Sequence, residues 1–167
     1  MSERNILKFL WILGLIIFPT LFMKPIKERW IVFLLNSTLN QYLNNFLVST
    51  NKLVYPVRIK NEKLYTQGSI LYDSVLCPIV TVWYHQATKK PKGVFDFLMK
   101  TIIFVSPQII VEILLEKYTK LIKYKNGWKW YHSFGAVALI KMFVRGFIEL
   151  VNIKSNRETK VLVENVD

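Results

Sequence analysis

The stretch Trp30–Thr50, WIVFLLNSTLNQYLNNFLVST, decides the fold class. It contains no charged residue, and as a helix it is long enough to cross about 30 Å of hydrocarbon. It also carries amides in a pattern. Asn36, Asn40 and Asn44 lie four apart, and Ser37, Gln41 and Asn45 form a second row beside them. At helical spacing these rows make one broad polar stripe, while Leu34, Leu35, Leu39, Leu43 and Phe46 largely cover the rest. The strict alternation of a barrel strand is absent, so a helix is the assignment that satisfies the backbone in lipid. Amides facing lipid tails are costly, so the stripe is predicted to face other helices or a wet cavity. Helix–helix hydrogen bonding is its plainer use, and a polar pathway or ligand groove the alternative.

Four more apolar segments lie on either side. They are Ile6–Met23, with a bend expected at Pro19, then Ser69–Gln86, Val94–Glu116 and Tyr131–Val151. The predicted fold is all-α: a polytopic transmembrane helical bundle over residues 1–151, of about five spans, or four if the first segment lies in the interface. Lys52–Gly68 is the longest connection, and residues 152–167 are expected to form a polar, fraying tail. Arg4 and Lys8 before the first segment resemble a signal peptide, but no small-residue cleavage site follows it, so a retained span is expected. There is no internal repeat and no low-complexity segment.

Composition agrees with this architecture. The 167 residues are 52% hydrophobic and 14% aromatic, with a mean hydropathy of +0.27. The net charge of +12 comes from 23 Lys and Arg against 11 Asp and Glu. Those basic residues flank the apolar runs, which suits phospholipid headgroups better than nucleic acid. Between Tyr118 and Tyr131, five aromatic residues interleave with lysines, a mixture that favours the headgroup region. A binding surface for anionic lipid or an envelope polymer is the functional version of that loop. The expected partners are therefore the bilayer, anionic lipids and other membrane proteins, with no nucleic acid. Cys77 is the one cysteine, so no disulfide framework or Cys-rich metal site forms within one chain.

The candidate site follows from chain direction. If all five segments cross, the start of the third, the end of the fourth and the start of the fifth lie on one side. Asp73, Glu112, Glu116 and His132 then share one level and form a candidate polar cluster. Glu112 and Glu116 are one turn apart and repel when both ionised, which a partner cation, a metal or a raised pKa would relieve; pairing with Lys117 and Lys120 at the surface is the plainer reading. Asn36, Asn40, Gln41 and Asn44 form the candidate amide stripe. Lys141 and Arg145 are the intramembrane cations. Arg145 is expected to pair with Glu149, and Lys141 either to snorkel or to meet an acid on a neighbouring helix.

No phosphate-binding glycine loop, nucleophile elbow or His-Glu-x-x-His motif is present. The two histidines, His85 and His132, fall at opposite ends of the expected bundle. No cofactor, metal or catalytic residue is expected.

The run Tyr55-Pro56-Val57-Arg58, with Ile70-Leu71-Tyr72-Asp73 opening the third segment, carries a resemblance. So do Glu112 and Glu116-Lys117-Tyr118-Thr119-Lys120-Leu121-Ile122-Lys123-Tyr124, followed by Trp128-Lys129-Trp130-Tyr131-His132. Together these motifs resemble a family of small, uncharacterised multi-span membrane proteins of Bacillus-like, spore-forming bacteria. The resemblance runs from the first segment to Arg145. It implies a bacterial source, a multi-pass place in the cell membrane and this architecture, and it supplies no reaction.

The functional expectation is a non-enzymatic accessory or scaffold component of the cell or spore envelope. The alternative is a small transporter or ligand-binding bundle that uses the polar cluster. Basic residues number 11 on the N-terminal side and 9 on the other, a margin that leans toward a cytoplasmic N-terminus.

Overall fold

A computed structural model describes residues 3–55 and 72–164. Among these residues the chain forms five α-helices: α1 (Glu3–Ile17), α2 (Ile26–Ser49), α3 (Cys77–Ala87), α4 (Val94–Tyr118) and α5 (Trp130–Glu164). Strand β1 (Leu53–Val54) pairs antiparallel with β2 (Lys123–Tyr124), with Leu53 opposite Tyr124 and Val54 opposite Lys123. Each apolar segment thus supplies one helix, and the all-α class holds. Most of the Lys52–Gly68 connection, the motif at 56–58 and the start of the third segment at 69–71 lie outside the described residues.

One described helix, α4, is by itself long and apolar enough to cross a bilayer. The other segments fall short for different reasons. α1 stops at Ile17, and Phe18–Phe22 continues as a 3₁₀ turn with Pro19 in its first turn, where a missing N–H costs little. α2 carries the amide stripe, α3 has 11 residues, and α5 contains Lys141 and Arg145. The tail departs from expectation. Instead of fraying at Asn152, α5 continues to Glu164. No Gly or Pro interrupts residues 152–164, so each added residue extends a helix that is already nucleated.

A π-helical turn over Tyr72–Leu76 leads into α3. Pro78 explains the backbone chemistry there. It stands five residues after Asp73 and four after Ser74, where each carbonyl would find its helical donor, and proline has no N–H. The amide stripe of α2 supplies the missing donors. Asn40 Nδ2 donates to the Asp73 carbonyl at 2.9 Å, and Ser37 Oγ donates to the Ser74 carbonyl at 3.1 Å. Gln41 Nε2 reaches Ser74 Oγ at 3.0 Å. Three stripe residues therefore fasten α2 to the turn before α3.

α2 packs on α3 and α5, and α4 packs on α3 and α5. α1 stands at the edge, with Leu10 and Gly14 against Val75 and Leu76. Two apolar layers form. Leu21, Val32, Phe33, Ile79, Val82, Val144 and Ile148 make one. Leu47, Leu53, Leu115, Leu121 and Ile122 make the other, under the β ladder. One turn of helix inward from the first layer, polar residues take over.

Candidate functional site: a polar cavity in the bundle

Each of four helices offers a file of residues spaced four apart to one cavity: Asn36, Asn40 and Asn44 from α2; Asp73, Cys77 and Thr81 from the π turn and α3; Gln108 and Glu112 from α4; Ser133, Val137 and Lys141 from α5. Side chains four apart share a helix face, so four such files enclose one space. Its volume is about 60 Å³, room for a small cluster of waters at roughly 10–15 Å³ each. Leu43, Leu47, Leu53, Ile122 and Ala136 form the apolar part of the wall.

Lys141 is 1% exposed. Its Nζ donates to Thr81 Oγ1 at 2.7 Å, and Thr81 donates in turn to the Cys77 carbonyl at 3.0 Å. Neither sequence expectation for Lys141 holds. A buried ammonium does not snorkel, and among the described residues no carboxylate lies within ion-pair distance of it. On the same cavity wall, Asn36 is also 1% exposed, and among the described residues neither its Oδ1 nor its Nδ2 has a hydrogen-bond partner. An unmet buried amide costs about 1–3 kcal/mol unless water or a ligand answers it.

At the other end of the cavity Glu112 is fully engaged on one oxygen. Its Oε1 accepts from Tyr124 Oη at 2.8 Å and Ser133 Oγ at 2.9 Å. Trp128 Nε1 donates to Ser133 Oγ at 3.0 Å. Burial, and next the adjacent Glu112 carboxylate, push the Tyr124 phenol above its ordinary value, so it remains a proton donor. Tyr55 closes the same end by donating to Asn44 Oδ1 at 2.8 Å. The loop between α4 and α5 thus folds Tyr124 and Trp128 inward as a lid, while Tyr118, Trp130 and Tyr131 remain outside. Positive φ at Asn126 and Gly127 turns the chain back for this. Lys52 caps the outside, with its Nζ over the Trp128 ring at 5.4 Å.

The predicted cluster divides. Asp73 and Glu112 line the cavity with Asn36, Asn40, Asn44 and Lys141. Glu116 and His132, expected in the same cluster, are not among the cavity's lining residues. One further turn along α4 carries Glu116 past the lid, where its carbonyl accepts from Lys123 Nζ at 3.1 Å. His132 is exposed, stacks on Trp128 and accepts the Lys129 amide on Nδ1. Gln41 faces the π turn rather than the cavity. Arg145 lies one turn beyond Lys141. It pairs with Glu149 at 3.2 Å as expected, donates to the Thr88 carbonyl and sits over the Phe97 ring.

A second polar group at the opposite end escaped sequence reasoning. Glu28 meets His85 Nε2 through Oε1 and Lys89 Nζ through Oε2 at 2.9 Å. Burial alone would raise the Glu28 carboxyl, but the Lys89 and His85 hydrogen bonds outweigh it and hold the group below its ordinary value. The signal was present, because His85 continues the Asp73–Cys77–Thr81 file by one more turn. Among the described residues no group of His, Cys, Asp and Glu is arranged to hold a metal ion. Known protein families, curated proteins and solved structures give no match to this chain.

Proposed function

We propose that this chain is a multi-pass integral membrane protein that binds a small polar solute within its helical bundle, as a compact transporter or solute-binding protein. In this reading the five helices are five spans, or four if α1 lies in the interface, in a bacterial cell membrane as the family resemblance implies. What supports a membrane setting is inverted polarity. Asn36, Thr81, Gln108, Ser133 and Lys141 are buried, whereas Leu15, Ile16, Ile103, Ile110, Leu139, Phe143 and Leu150 point outward. A core helix of a soluble protein is mostly buried, yet only 28% of the apolar window of α4 is.

The observation that carries solute binding is Asn36, an amide with two unmet polar atoms on a cavity that it shares with the buried Lys141. An accessory or scaffold role in the cell or spore envelope needs no such cavity, so solute binding ranks above it. No side chain is assigned to catalysis in either reading.

Two measurements test the proposal. In a Cys77→Ala background, an impermeant maleimide should label Asn126→Cys and Lys90→Cys from opposite sides of sealed vesicles. Labelling from one side, or release of the protein by alkaline washing, would refute the membrane reading. For binding, at least one member of a panel of small polar solutes should raise the unfolding temperature, and Ala136→Leu, which fills the cavity, should remove that protection. A panel without effect would refute the solute reading.

A further inference from the structure

We infer that the solute is a small aliphatic monocarboxylate, of acetate to butyrate size, with its carboxylate on Lys141 and Asn36 and its alkyl end against Leu43, Leu47, Ala136 and Val137. This rests on the solute-binding reading above and names its chemistry. The charge of the ligand follows from which groups are already committed. Glu112 Oε1 receives two protein donors, Tyr124 and Ser133, so that carboxylate is held by the lid. Lys141 is in the reverse position. An ammonium has three N–H donors, and the Thr81 hydroxyl takes one. The other two have no protein acceptor among the described residues. The Asn36 amide on the same wall has its Nδ2 donor and its Oδ1 acceptor both unmet. An acceptor-rich anion answers the donors of Lys141 and Asn36, with Asp73 and Glu112 also on the cavity wall.

The shape of the cavity argues for a carboxylate with a short alkyl group. The donors cluster where Asn36, Thr81 and Lys141 meet. The rest of the lining sets Leu43, Leu47, Leu53, Ala136 and Val137 alongside amides, hydroxyls and the carboxylates of Asp73 and Glu112. A multiply charged phosphate or sulfate would be repelled by the Asp73 and Glu112 carboxylates on the same wall, whereas a single carboxylate with an alkyl end brings one charge and contacts the leucines. The volume of about 60 Å³ corresponds to roughly four to six water-sized centres, which limits the ligand to a comparable number of heavy atoms.

The test uses the full chain in detergent micelles or nanodiscs, with thermal unfolding followed across concentration series of acetate, propionate, butyrate, propionamide, glycerol, inorganic phosphate and ethylammonium. Propionate or butyrate should protect saturably, and propionamide should not. Lys141→Met should weaken carboxylate binding about ten- to hundredfold, the range set by losing one charge-assisted hydrogen bond. Lys141→Met removes an unpaired buried charge and so does not threaten folding. Asn36→Leu, similar in volume, should weaken binding in the same direction and provides the second check. Protection by propionamide or glycerol that survives Lys141→Met would overturn the carboxylate assignment and leave solute binding intact. Protection by phosphate or ethylammonium but by no carboxylate would also overturn it. If no solute in the series protects, both the assignment and the solute reading fail.

Discussion

Replacing Ser37 with alanine should cost stability only while residue 78 is proline. Pro78 leaves the Asp73 and Ser74 carbonyls without a helical donor, and α2 replaces it with Asn40 Nδ2 and Ser37 Oγ at 2.9 and 3.1 Å. Interhelical hydrogen bonds in membrane proteins are worth roughly 0.6–1.7 kcal/mol, and a buried carbonyl left unmet costs about 1–3 kcal/mol. Ser37→Ala should therefore destabilise by about 1–2 kcal/mol, and Asn40→Leu by the same or slightly more. In a Pro78→Ala background the chain regains one N–H. While the π turn of Tyr72–Leu76 persists, that N–H serves Ser74, four residues back, and leaves Asp73 unserved. The cost of Ser37→Ala should then fall below about 0.5 kcal/mol, whereas that of Asn40→Leu should persist. Equilibrium unfolding in mixed micelles, run as two double-mutant cycles, measures both couplings. Equal costs of Ser37→Ala in the two backgrounds would refute the idea that the amide stripe substitutes for the missing proline N–H. Collapse of both costs would show that the turn re-forms as regular helix and needs neither side chain.

Three further outcomes follow from the site. Asn36→Leu should raise stability by about 1–2 kcal/mol in solute-free protein, because it removes two unmet polar atoms at similar volume, while it weakens solute protection; unfolding with and without solute checks both signs. Glu112→Leu should cost about 2–4 kcal/mol, since Tyr124 and Ser133 lose their common acceptor, whereas Glu112→Gln retains an acceptor oxygen and should cost less than half as much; thermal unfolding of the pair decides it. The Glu28 carboxyl lies below its ordinary value in the folded protein, so its contribution is present above the unfolded pKa and is lost as pH falls through the folded one. Stability should decline on acidification below the ordinary carboxylate range, and Glu28→Gln should flatten that decline. A wild-type and variant pair with the same acid slope would remove Glu28 from that role.

How much of this was legible in the sequence depends on the kind of signal. Helix positions were, because apolar runs bounded by Lys, Arg, Pro and Gly have few other solutions in 167 residues. The four-residue spacing of Asn36, Asn40 and Asn44 placed the stripe inward for a physical reason, namely the cost of an amide in hydrocarbon. The same spacing was available at Asp73, Cys77 and Thr81, at Gln108 and Glu112, and at Ser133 and Lys141. On those helices the charged residues stand out in sequence more strongly than the four-residue spacing does. Charge points to Glu116, which shares the face of Glu112 but lies one turn farther along, and to His132, which is exposed although Ser133 beside it in sequence is buried. Level along an axis follows from chain direction, but facing requires the rotation of each helix, which is set by packing against neighbours. The lid was illegible for a different reason. Tyr124 and Trp128 have the composition of interfacial anchors, and only the pairing of Leu53 with Tyr124, between residues distant in sequence, turns them inward. Lys141 joins both lessons. As a lone cation in an apolar helix it suggested escape to the surface or an acidic partner, the two remedies for a single charge considered by itself. Its observed partner is the Thr81 hydroxyl, and it shares its cavity with the unmet Asn36 amide, an arrangement that leaves its remaining N–H groups available to an anion.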